Sequence, residues 1–374
     1  MTIEIFSDIS EYVALREGWN ALVQDDPKSM MGLDSTATYE WFETILAAFP
    51  EAIHSRVIVL REGNETVGIL PVILDHSSNL GLKLLLPTEL YGGRNGPLLA
   101  RPNPELLNAL LLGLNRACPG WISLQLTMLT GSKNELLLRD ACERAQYKIQ
   151  EGSLKESPFF PIRDTPESFE ATISKGLRQM LRTSANKFKA LGQLQHKEYT
   201  NESGAEELLK AVLTVERKSW KHLAGTAITS NPRQERFYAE LFPRAMKCGL
   251  LHAQVSLLDN RPIAYNFGVL NNGVFSCLKH SHDQALDKLS PSYLLNLSLI
   301  NRLREKGIVG YDFMGMSDPH KLRWSDANGF YNRNTLVVYN KNTAGRLAFH
   351  AGHIKAGIAK LLKIQGRSSC QISD

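Results

Sequence analysis

The segment from Val274 to Trp324 constrains the fold of this chain more than any other part of it. Its apolar run Val274 to Lys279 predicts a strand, and a polar loop follows. Ser290 has the short hydroxyl side chain favoured at helix N-caps, and Pro291 suits the first helical position. A second apolar run, Val309 to Met314, predicts another strand after the helix. This order of elements presents free backbone N–H groups and the positive end of a helix dipole to an anion, which favours an enzyme with a phosphate-bearing cofactor.

Length and composition set the broad class of protein. A chain of 374 residues is too long for one average domain and predicts two. The net charge of +5 favours an anionic cofactor or substrate, but it is too modest to indicate a nucleic-acid interface. Five cysteines without a CxxC pair indicate reduced thiols. With no signal peptide and no apolar run of about 18 residues, we expect a cytoplasmic protein without a transmembrane segment.

The predicted elements fall into two halves with the same order, β-α-α-β-β-β-α-β. The first half begins with a strand at Thr2 to Phe6, and the second begins with a strand at Leu194 to Tyr199. Capping-box spacing opens the next helix in each half, from Asp8 towards Val23 and from Ser203 to Lys221. Three prolines between Glu151 and Pro166 predict a boundary. The predicted domains are residues 1–155, residues 156–342, and residues 343–374, the last being a C-terminal helix and tail.

Four short motifs in the second half occur together in one known family. They are E-x-x-S-W-K at Glu216 to Lys221, SPSYLL at Ser290 to Leu295, YDFMG at Tyr311 to Gly315, and K-x-x-W at Lys321 to Trp324. In order and spacing they resemble the BioF2-like or CelD-like branch of the GNAT-superfamily acetyltransferases, over roughly residues 161 to 330. One departure is Ser292, which stands where relatives of that branch commonly carry glycine.

The resemblance implies a mixed α/β chain with a tandem GNAT-like acyltransferase fold. It implies an N-acyltransferase that moves an acyl group, in the first instance acetyl, from coenzyme A to an amine. The acceptor is expected to be a small molecule or saccharide, such as an amino sugar or polysaccharide precursor, and no metal or nucleic acid is expected to take part. The donor, acetyl-CoA or another acyl-CoA, is expected to place its pyrophosphate against the backbone at Leu289, Ser290, Pro291, Ser292 and Tyr293.

Three side chains are the predicted catalytic residues. Glu216 lies one helical turn before Trp220, so the two are expected to share a face of the predicted helix. The resemblance to the E-x-x-S-W-K element favours a site role for Glu216. Asp283 stands directly before the predicted cofactor loop. Tyr265, in the middle strand of a three-stranded meander, lies where the acceptor site of a GNAT enzyme would face.

A second group of side chains is predicted to bind substrate. Arg178 and Arg182 are one helical turn apart and are able to hold a carboxylate or phosphate. Asp312 interrupts an apolar strand, so we expect Lys321 or an arginine to be its partner. His280 belongs to a His-x-His-Asp pattern that lacks further metal ligands at useful spacing. The predicted substrate-binding residues are Arg178, Arg182, Trp220, His280, Asp312, Lys321 and Trp324.

Two other functions stay open on the sequence alone. Fem-type aminoacyltransferases also use two fused GNAT-like halves, so the donor could be an aminoacyl-tRNA, which would make tRNA a partner. A degenerate GNAT domain that only binds a ligand is the second alternative, and Ser292 in place of glycine is the feature that favours it.

Overall fold

The computed structural model describes residues 1–24, 35–162, 165, 173–324 and 329–354. Its strands are β1 (Thr2–Phe6), β2 (Ser55–Glu62), β3 (Glu65–Asp75), β4 (Lys83–Leu85), β5 (Leu98–Leu99), β6 (Ser123–Leu129), β7 (Lys148–Pro161), β8 (Leu194–Tyr199), β9 (Leu251–Leu258), β10 (Arg261–Asn271), β11 (Val274–His282), β12 (Gly310–Asp312) and β13 (Phe330–Tyr339). Its helices are α1 (Ile9–Tyr12), α2 (Arg16–Gln24), α3 (Tyr39–Ala48), α4 (Pro104–Ala117), α5 (Lys133–Arg144), α6 (Lys175–Leu191), α7 (Ala205–Arg217), α8 (Trp220–Leu223), α9 (Pro232–Lys247), α10 (Pro291–Glu305), α11 (Pro319–Leu322) and α12 (343–354).

The chain divides into two compact units, and neither is continuous in sequence. The first unit contains Met1–Leu22, Glu51–Leu154 and Asn334–Asp374. The second unit contains Val23–Pro50 and Lys155–Arg333. The chain passes from one unit to the other after Leu22, Pro50, Leu154 and Arg333, so α3 belongs to the second unit and β13 is divided between the two. The predicted domain bounds stay a prediction.

In the first unit the strands follow the order β1-β2-β3-β4-β6-β13. The pairs from β1 to β4 are antiparallel, whereas β4 and β6 run parallel, with Leu84 opposite Leu124. α4 comes between β4 and β6 in the chain and packs on β1, β2 and β3. A parallel pair needs such a crossover, because a short hairpin joins only antiparallel strands.

In the second unit the strands follow the order β7-β12-β11-β10-β9-β8. The strands β8 to β11 pair antiparallel, whereas β11 and β12 run parallel, with Phe275 opposite Tyr311. Two-residue turns at Asp259-Asn260 and Asn272-Gly273 join the hairpins, and all four residues have the positive φ of the mirror-image turns that suit a twisted hairpin. α10 forms the crossover between β11 and β12.

The two units share one pairing pattern, in which an antiparallel meander ends in a parallel pair joined through a helix. The predicted tandem GNAT-like, mixed α/β fold is confirmed at this level. In the second unit, successive residues of β10 point to opposite faces of the sheet. The Phe267 ring packs on Tyr238 and Phe242 of α9, at centroid distances of 5.0 and 4.9 Å. Asn266, on the other face, donates to Asn296 of α10 over 3.1 Å.

Several predicted boundaries were wrong. The segment predicted as a boundary after Glu151 is mostly the second part of β7, which extends to Pro161, while residues 163, 164 and 166 lie outside the described residues. The predicted helix from Ser203 to Lys221 is two helices, because α7 ends at Arg217 and α8 begins at Trp220. β13 was not predicted. The C-terminal helix is seen over 343–354, and its predicted continuation to 363 lies outside the described residues. No helix in the described ranges is long and apolar enough to cross a bilayer.

Candidate functional site

A cavity of about 480 Å³ lies where the two parallel strands of the second unit separate. β12 pairs with β11 only from Val274 to Ser276, while β11 continues to His282. After β12 the chain turns sharply at Met314, which has a φ of 57°. The cavity is lined by Trp220, Lys221, Cys277, Leu278, Lys279, His280, Ser281, His282, Asp287, Ser290, Ser292, Tyr293, Phe313, Gly315, Asp318, His320 and Lys321.

The first turn of α10 borders this cavity. Pro291 is the first helical residue, as predicted, and Ser290 is the N-cap in the left-handed conformation with φ 54° and ψ 49°. The Ser290 hydroxyl makes no capping hydrogen bond, which contradicts the predicted cap. Ser292 lies 2.7 Å from His282 between hydroxyl oxygen and Nδ1. Of the five predicted cofactor-binding residues, Ser290, Ser292 and Tyr293 line the cavity, whereas Leu289 and Pro291 do not.

Aromatic rings form one wall of the cavity. The His320 ring lies between Tyr293 and His280, at centroid distances of 4.3 and 5.0 Å. Both His320 ring nitrogens are buried and have no hydrogen-bond partner among the described residues. Burial lowers the pKa of His320 to about 4 and holds the pKa of His280 well below its usual range. Both imidazoles are therefore neutral near pH 7 and present nitrogen lone pairs.

Three lysines and two carboxylates, Asp287 and Asp318, line the cavity, so its fixed charge is positive. Lys221 donates to the backbone carbonyl of His280 over 2.5 Å, and burial lowers its pKa although nearby Glu216 opposes the shift. Burial likewise lowers the pKa of Lys279 to about 8. An anionic group entering the cavity would raise the pKa of both lysines again and so favour their charged forms.

Sequence reasoning missed Lys221, Lys279 and His320 as site residues. Lys221 closes the E-x-x-S-W-K element and His320 directly precedes Lys321, so both stood beside residues that were chosen. Lys279 ends the predicted strand and gave no local signal, because its place in the cavity depends on where β12 stops.

Glu216 and Tyr265 lie outside the cavity and are fully buried. The two Glu216 carboxylate oxygens accept hydrogen bonds from the Tyr265 hydroxyl over 2.5 Å and from the Ile228 backbone N–H over 2.6 Å. Lys279 approaches the same carboxylate at 3.8 Å. Neither side chain lines the cavity, and the predicted catalytic roles of Glu216 and Tyr265 stay predictions. The Glu216 carboxylate stabilises the ammonium group of Lys279, which itself lines the cavity.

The two predicted aspartates have structural partners. Asp283 accepts from the Ala285 N–H over 3.0 Å, capping the 3₁₀ helix Gln284–Leu289, and does not line the cavity. Asp312 is 1% exposed and accepts from the Met314 N–H over 2.7 Å and the Tyr331 hydroxyl over 2.9 Å. Both carboxylates thus have structural partners, and the predicted catalytic role of Asp283 and substrate-binding role of Asp312 stay predictions.

Lys321 lines the cavity, and its predicted roles as a partner of Asp312 or of an anionic substrate stay predictions. Its ammonium donates to the Met316 carbonyl over 2.7 Å and lies 3.2 Å from Asp318. Trp324 is 2% exposed and packs behind Tyr293, so it contacts the wall of the cavity and not its interior.

The remaining predicted residues lie at different distances from the cavity. Trp220 lines it and is 53% exposed, whereas Glu216 points into the core, so the two do not share a face. The chain turns between α7 and α8, which is the physical reason. Arg178 and Arg182 are on α6 outside the cavity lining, and Arg178 donates to the Ile173 carbonyl over 3.1 Å. These two arginines are not brought to the site.

Comparison with a model of the GNAT acetyltransferase domain gives a match over residues 175–322. This range contains every residue that lines the cavity. The segment is similar to GNAT acetyltransferase domains. The assignment of that GNAT domain to the BioF2-like or CelD-like branch stays a prediction, and the search of curated proteins found no match.

Solved structures agree on the fold over most of the chain. FemX is similar with a TM-score of 0.63 at 12% identity, covering 86% of this chain and 95% of that one. A conserved protein of unknown function from Bacteroides thetaiotaomicron gives 0.59 at 12% identity, with 91% and 100% coverage. The C-terminal domain of a putative lysylphosphatidylglycerol synthetase from Agrobacterium fabrum gives 0.51 at 12% identity, with 91% and 96% coverage. Identities this low show a shared fold and no shared substrate.

Proposed function

We propose that the GNAT domain transfers an acyl group, acetyl in the first instance, from coenzyme A to an amine. The observation that carries this proposal is the cavity between the separating strands β11 and β12, bordered by the first turn of α10. Past Ser276 the edge of β11 has no strand partner on the β12 side. Backbone groups on that edge are therefore available to an extended ligand.

The residues around the cavity fit an acyl-CoA. The first turn of a helix leaves backbone N–H groups without helical acceptors, which suits an anion such as a pyrophosphate. Within Leu289–Tyr293, however, Pro291 has no N–H, and the Ser290 and Tyr293 N–H groups donate to the Asp287 and Ser290 carbonyls over 3.0 and 3.1 Å. The proposed pyrophosphate contact is therefore made with the Ser292 N–H and with side chains. The loop from Asp283 to Ser292 contains no glycine, so the phosphates would meet the Ser290 and Ser292 side chains as well as the backbone. Lys221, Lys279 and Lys321 supply positive charge inside the cavity. The bound donor supplies a thioester carbonyl that is open to attack by an amine.

The side chains of the cavity then have separate tasks in the proposed reaction. Burial keeps the His280 ring neutral at pH 7, so it can accept the proton of the attacking amine, although the same burial makes it a weaker base than a free imidazole. As the new C–N bond forms, the C–S bond of the thioester breaks and coenzyme A leaves as a thiolate, which takes up a proton to become the free thiol. Lys221, already fixed on the β11 edge, stabilises the negative charge that develops on the carbonyl oxygen. Tyr293 and His320 form an aromatic wall that positions the acceptor.

The first acceptors to test are amino sugars and precursors of polysaccharides, which follow from the resemblance of the motifs. A saccharide ring stacks readily on aromatic side chains, and Tyr293 and Trp220 line the cavity. This is the finer part of the proposal, and it is separable from acyl transfer itself.

Two experiments test the proposal. Coenzyme A, acetyl-CoA and a long-chain acyl-CoA are titrated in a thermal-shift assay, where a ligand at about 100 times its Kd stabilises the fold by roughly 2.7 kcal/mol. Release of free thiol is then followed with a panel of amines. His280→Gln should lower kcat by about 10²–10⁴-fold, while the control His196→Gln, an exposed histidine of β8 outside this cavity, should not.

The alternatives have distinct outcomes in these assays. If no acyl-CoA raises the melting temperature, coenzyme A is not the donor, and aminoacyl-tRNA is the next donor to test. If an acyl-CoA binds and no amine releases thiol, the domain is a binding module.

A further inference from the structure

Four exposed apolar side chains belong to the two segments that supply Trp220, Gly315 and Lys321 to the cavity lining. On α8, Trp220 is 53% exposed and Leu223 is 80% exposed. On the segment that follows β12, Met316 is 64% exposed and Leu322 is 41% exposed. Trp220 itself lines the cavity, while Met316 and Leu322 adjoin the lining residues Gly315 and Lys321. We call these four residues the apolar rim.

The fold gives the apolar rim no packing partner. α8 and α11 contain no buried residue, so neither short helix contributes to the core. A single exposed apolar side chain is ordinary in a soluble protein, whereas a group of large ones around one opening marks an interaction surface. Burial of these side chains against a partner would remove apolar area from water.

Positive side chains flank the apolar rim. The exposed basic residues adjoining it or the cavity lining are Arg217, Lys218, His222, Lys288 and Arg323. The two carboxylates at the mouth have basic partners, since Asp287 lies 2.9 Å from His282 and Asp318 lies 3.2 Å from Lys321. The surface around the opening is therefore apolar in its middle and basic at its edge.

We propose that the apolar rim docks on an anionic lipid surface, so that the cavity opens towards molecules held at that surface. Tryptophan and leucine side chains enter the headgroup region of a bilayer, and lysine and arginine beside them bind anionic headgroups. A docked mouth gives an acceptor with an apolar anchor and an amine headgroup direct access to the cavity. The identity of that acceptor rests on the proposed acyl transfer, whereas the docking itself does not.

The tryptophans of the chain allow a direct measurement. Trp19, Trp41, Trp121 and Trp324 are 1%, 2%, 0% and 2% exposed, so Trp220 is the only exposed tryptophan of the five. The full chain is mixed with vesicles of phosphatidylcholine alone or with phosphatidylglycerol, some carrying brominated acyl chains. We expect a blue shift and quenching of tryptophan emission with the anionic vesicles, together with co-sedimentation. Both should weaken between about 0.1 M and about 1 M salt, where the Debye length falls from about 10 to about 3 Å.

A variant that keeps the fluorescent reporter tests the apolar rim. Leu223→Ser combined with Met316→Ser should weaken vesicle partitioning about tenfold, since two apolar side chains no longer enter the interface. The matched control is Leu112→Ser combined with Leu136→Ser, which removes leucines of 48% and 57% exposure from the first unit. That control should bind like the wild type, and melting temperatures confirm that both variants are folded.

Three results overturn the proposal: Trp220 unquenched by either vesicle, a rim variant that binds like the wild type, or equal binding to both vesicle compositions. Vesicle binding is measured without substrate, and the coenzyme A titration is done without lipid. A negative result in one assay therefore does not affect the other, so the lipid-docking proposal and the acyl-transfer proposal are tested independently.

Discussion

At the scale of single residues, the ionisable side chains of the second unit divide by the side of β11 on which they lie. His280, His320 and Lys221 meet the cavity, where their neutral or partly neutral forms are favoured by burial. Glu216 and Tyr265 lie behind the sheet and hold each other through a hydrogen bond of 2.5 Å. Glu216, which does not line the cavity, places its carboxylate 3.8 Å from the ammonium group of Lys279, which does.

Glu216→Gln tests this division. An amide in place of the carboxylate cannot accept from both the Ile228 N–H and the Tyr265 hydroxyl without turning its own N–H₂ towards a donor, so we expect the free energy of unfolding to fall by about 1–3 kcal/mol. Urea denaturation measures this. The matched control is Glu207→Gln on the same helix, where a 56% exposed glutamate pairs with Lys197. If stability is unchanged and kcat drops by two orders of magnitude or more, Glu216 is the base after all.

His320 predicts a pH dependence of stability. Its pKa is about 4 in the folded protein, whereas an unfolded histidine titrates near 6.5. Between these values only the unfolded chain binds the proton, so the free energy of unfolding falls as pH drops from about 6.5 towards 4. His320→Phe retains a stacked ring and should give a shallower slope in urea denaturation at pH 7.5, 6 and 5. A slope equal to that of the wild type would show that His320 titrates normally.

At the scale of elements, the local sequence predicted a helix or strand correctly where its structure depends on one buried face and on the turn beside it. The start of α10 and a three-stranded meander, β9 to β11, were predicted, because the turns at Asp259-Asn260 and Asn272-Gly273 fix the hairpins. β13 and the second part of β7 were missed, since prolines and polar residues obscure their alternation and strand neighbours hold them in place. The helix break before Trp220 was missed because it depends on a distant contact. The Glu216 carboxylate turns into the core and accepts a hydrogen bond from the backbone N–H of Ile228, twelve positions later in the sequence.

The β10 bulge gives the element-scale prediction. Gly268 lies beside the register shift in the β10–β11 pair, and a Cβ there would approach the Ser276 carbonyl oxygen within 3.0 Å and the Phe275 ring. Gly268→Ala should therefore lower the free energy of unfolding by about 1–3 kcal/mol, through overpacking against backbone. Gly176→Ala in α6 is the control, since the nearest atom lies 4.0 Å away and alanine favours a helix. A Gly268→Ala protein as stable as the wild type in urea would contradict the close approach.

At the scale of the whole molecule, each unit is assembled from segments far apart in the chain. α3 belongs to the early sequence yet packs in the second unit, where the Trp41 and Phe237 ring centroids are 5.1 Å apart. No local pattern announces this, because an amphipathic helix does not specify which sheet it covers. The element order was predictable because it depends on local periodicity, and the GNAT-like fold was predictable because the motif resemblance agrees with that order.

Trp41→Ala tests the assignment of α3. Trp41 is 2% exposed, and its truncation should cost about 3–5 kcal/mol. Hydrogen exchange should increase in β9, β10 and α9 of the second unit. Trp19→Ala, which truncates a tryptophan 1% exposed in the first unit, should instead affect β1 to β3. Faster exchange in β1 to β3 on truncation of Trp41 would place α3 in the other unit.

In the sequence, β13 is far from the other strands of the first unit, and this separation has a consequence for biosynthesis. Thr335 of β13 contacts Thr127 of β6 at 3.0 Å between hydroxyls, across 208 positions of sequence. At about 5–20 residues per second, a ribosome needs about 10–40 s between these two residues. During that interval the nascent first unit waits with an uncovered strand edge while the GNAT domain emerges. Such an edge invites association with neighbouring nascent chains. The order of synthesis therefore makes the nascent chain prone to aggregation before its fold is complete.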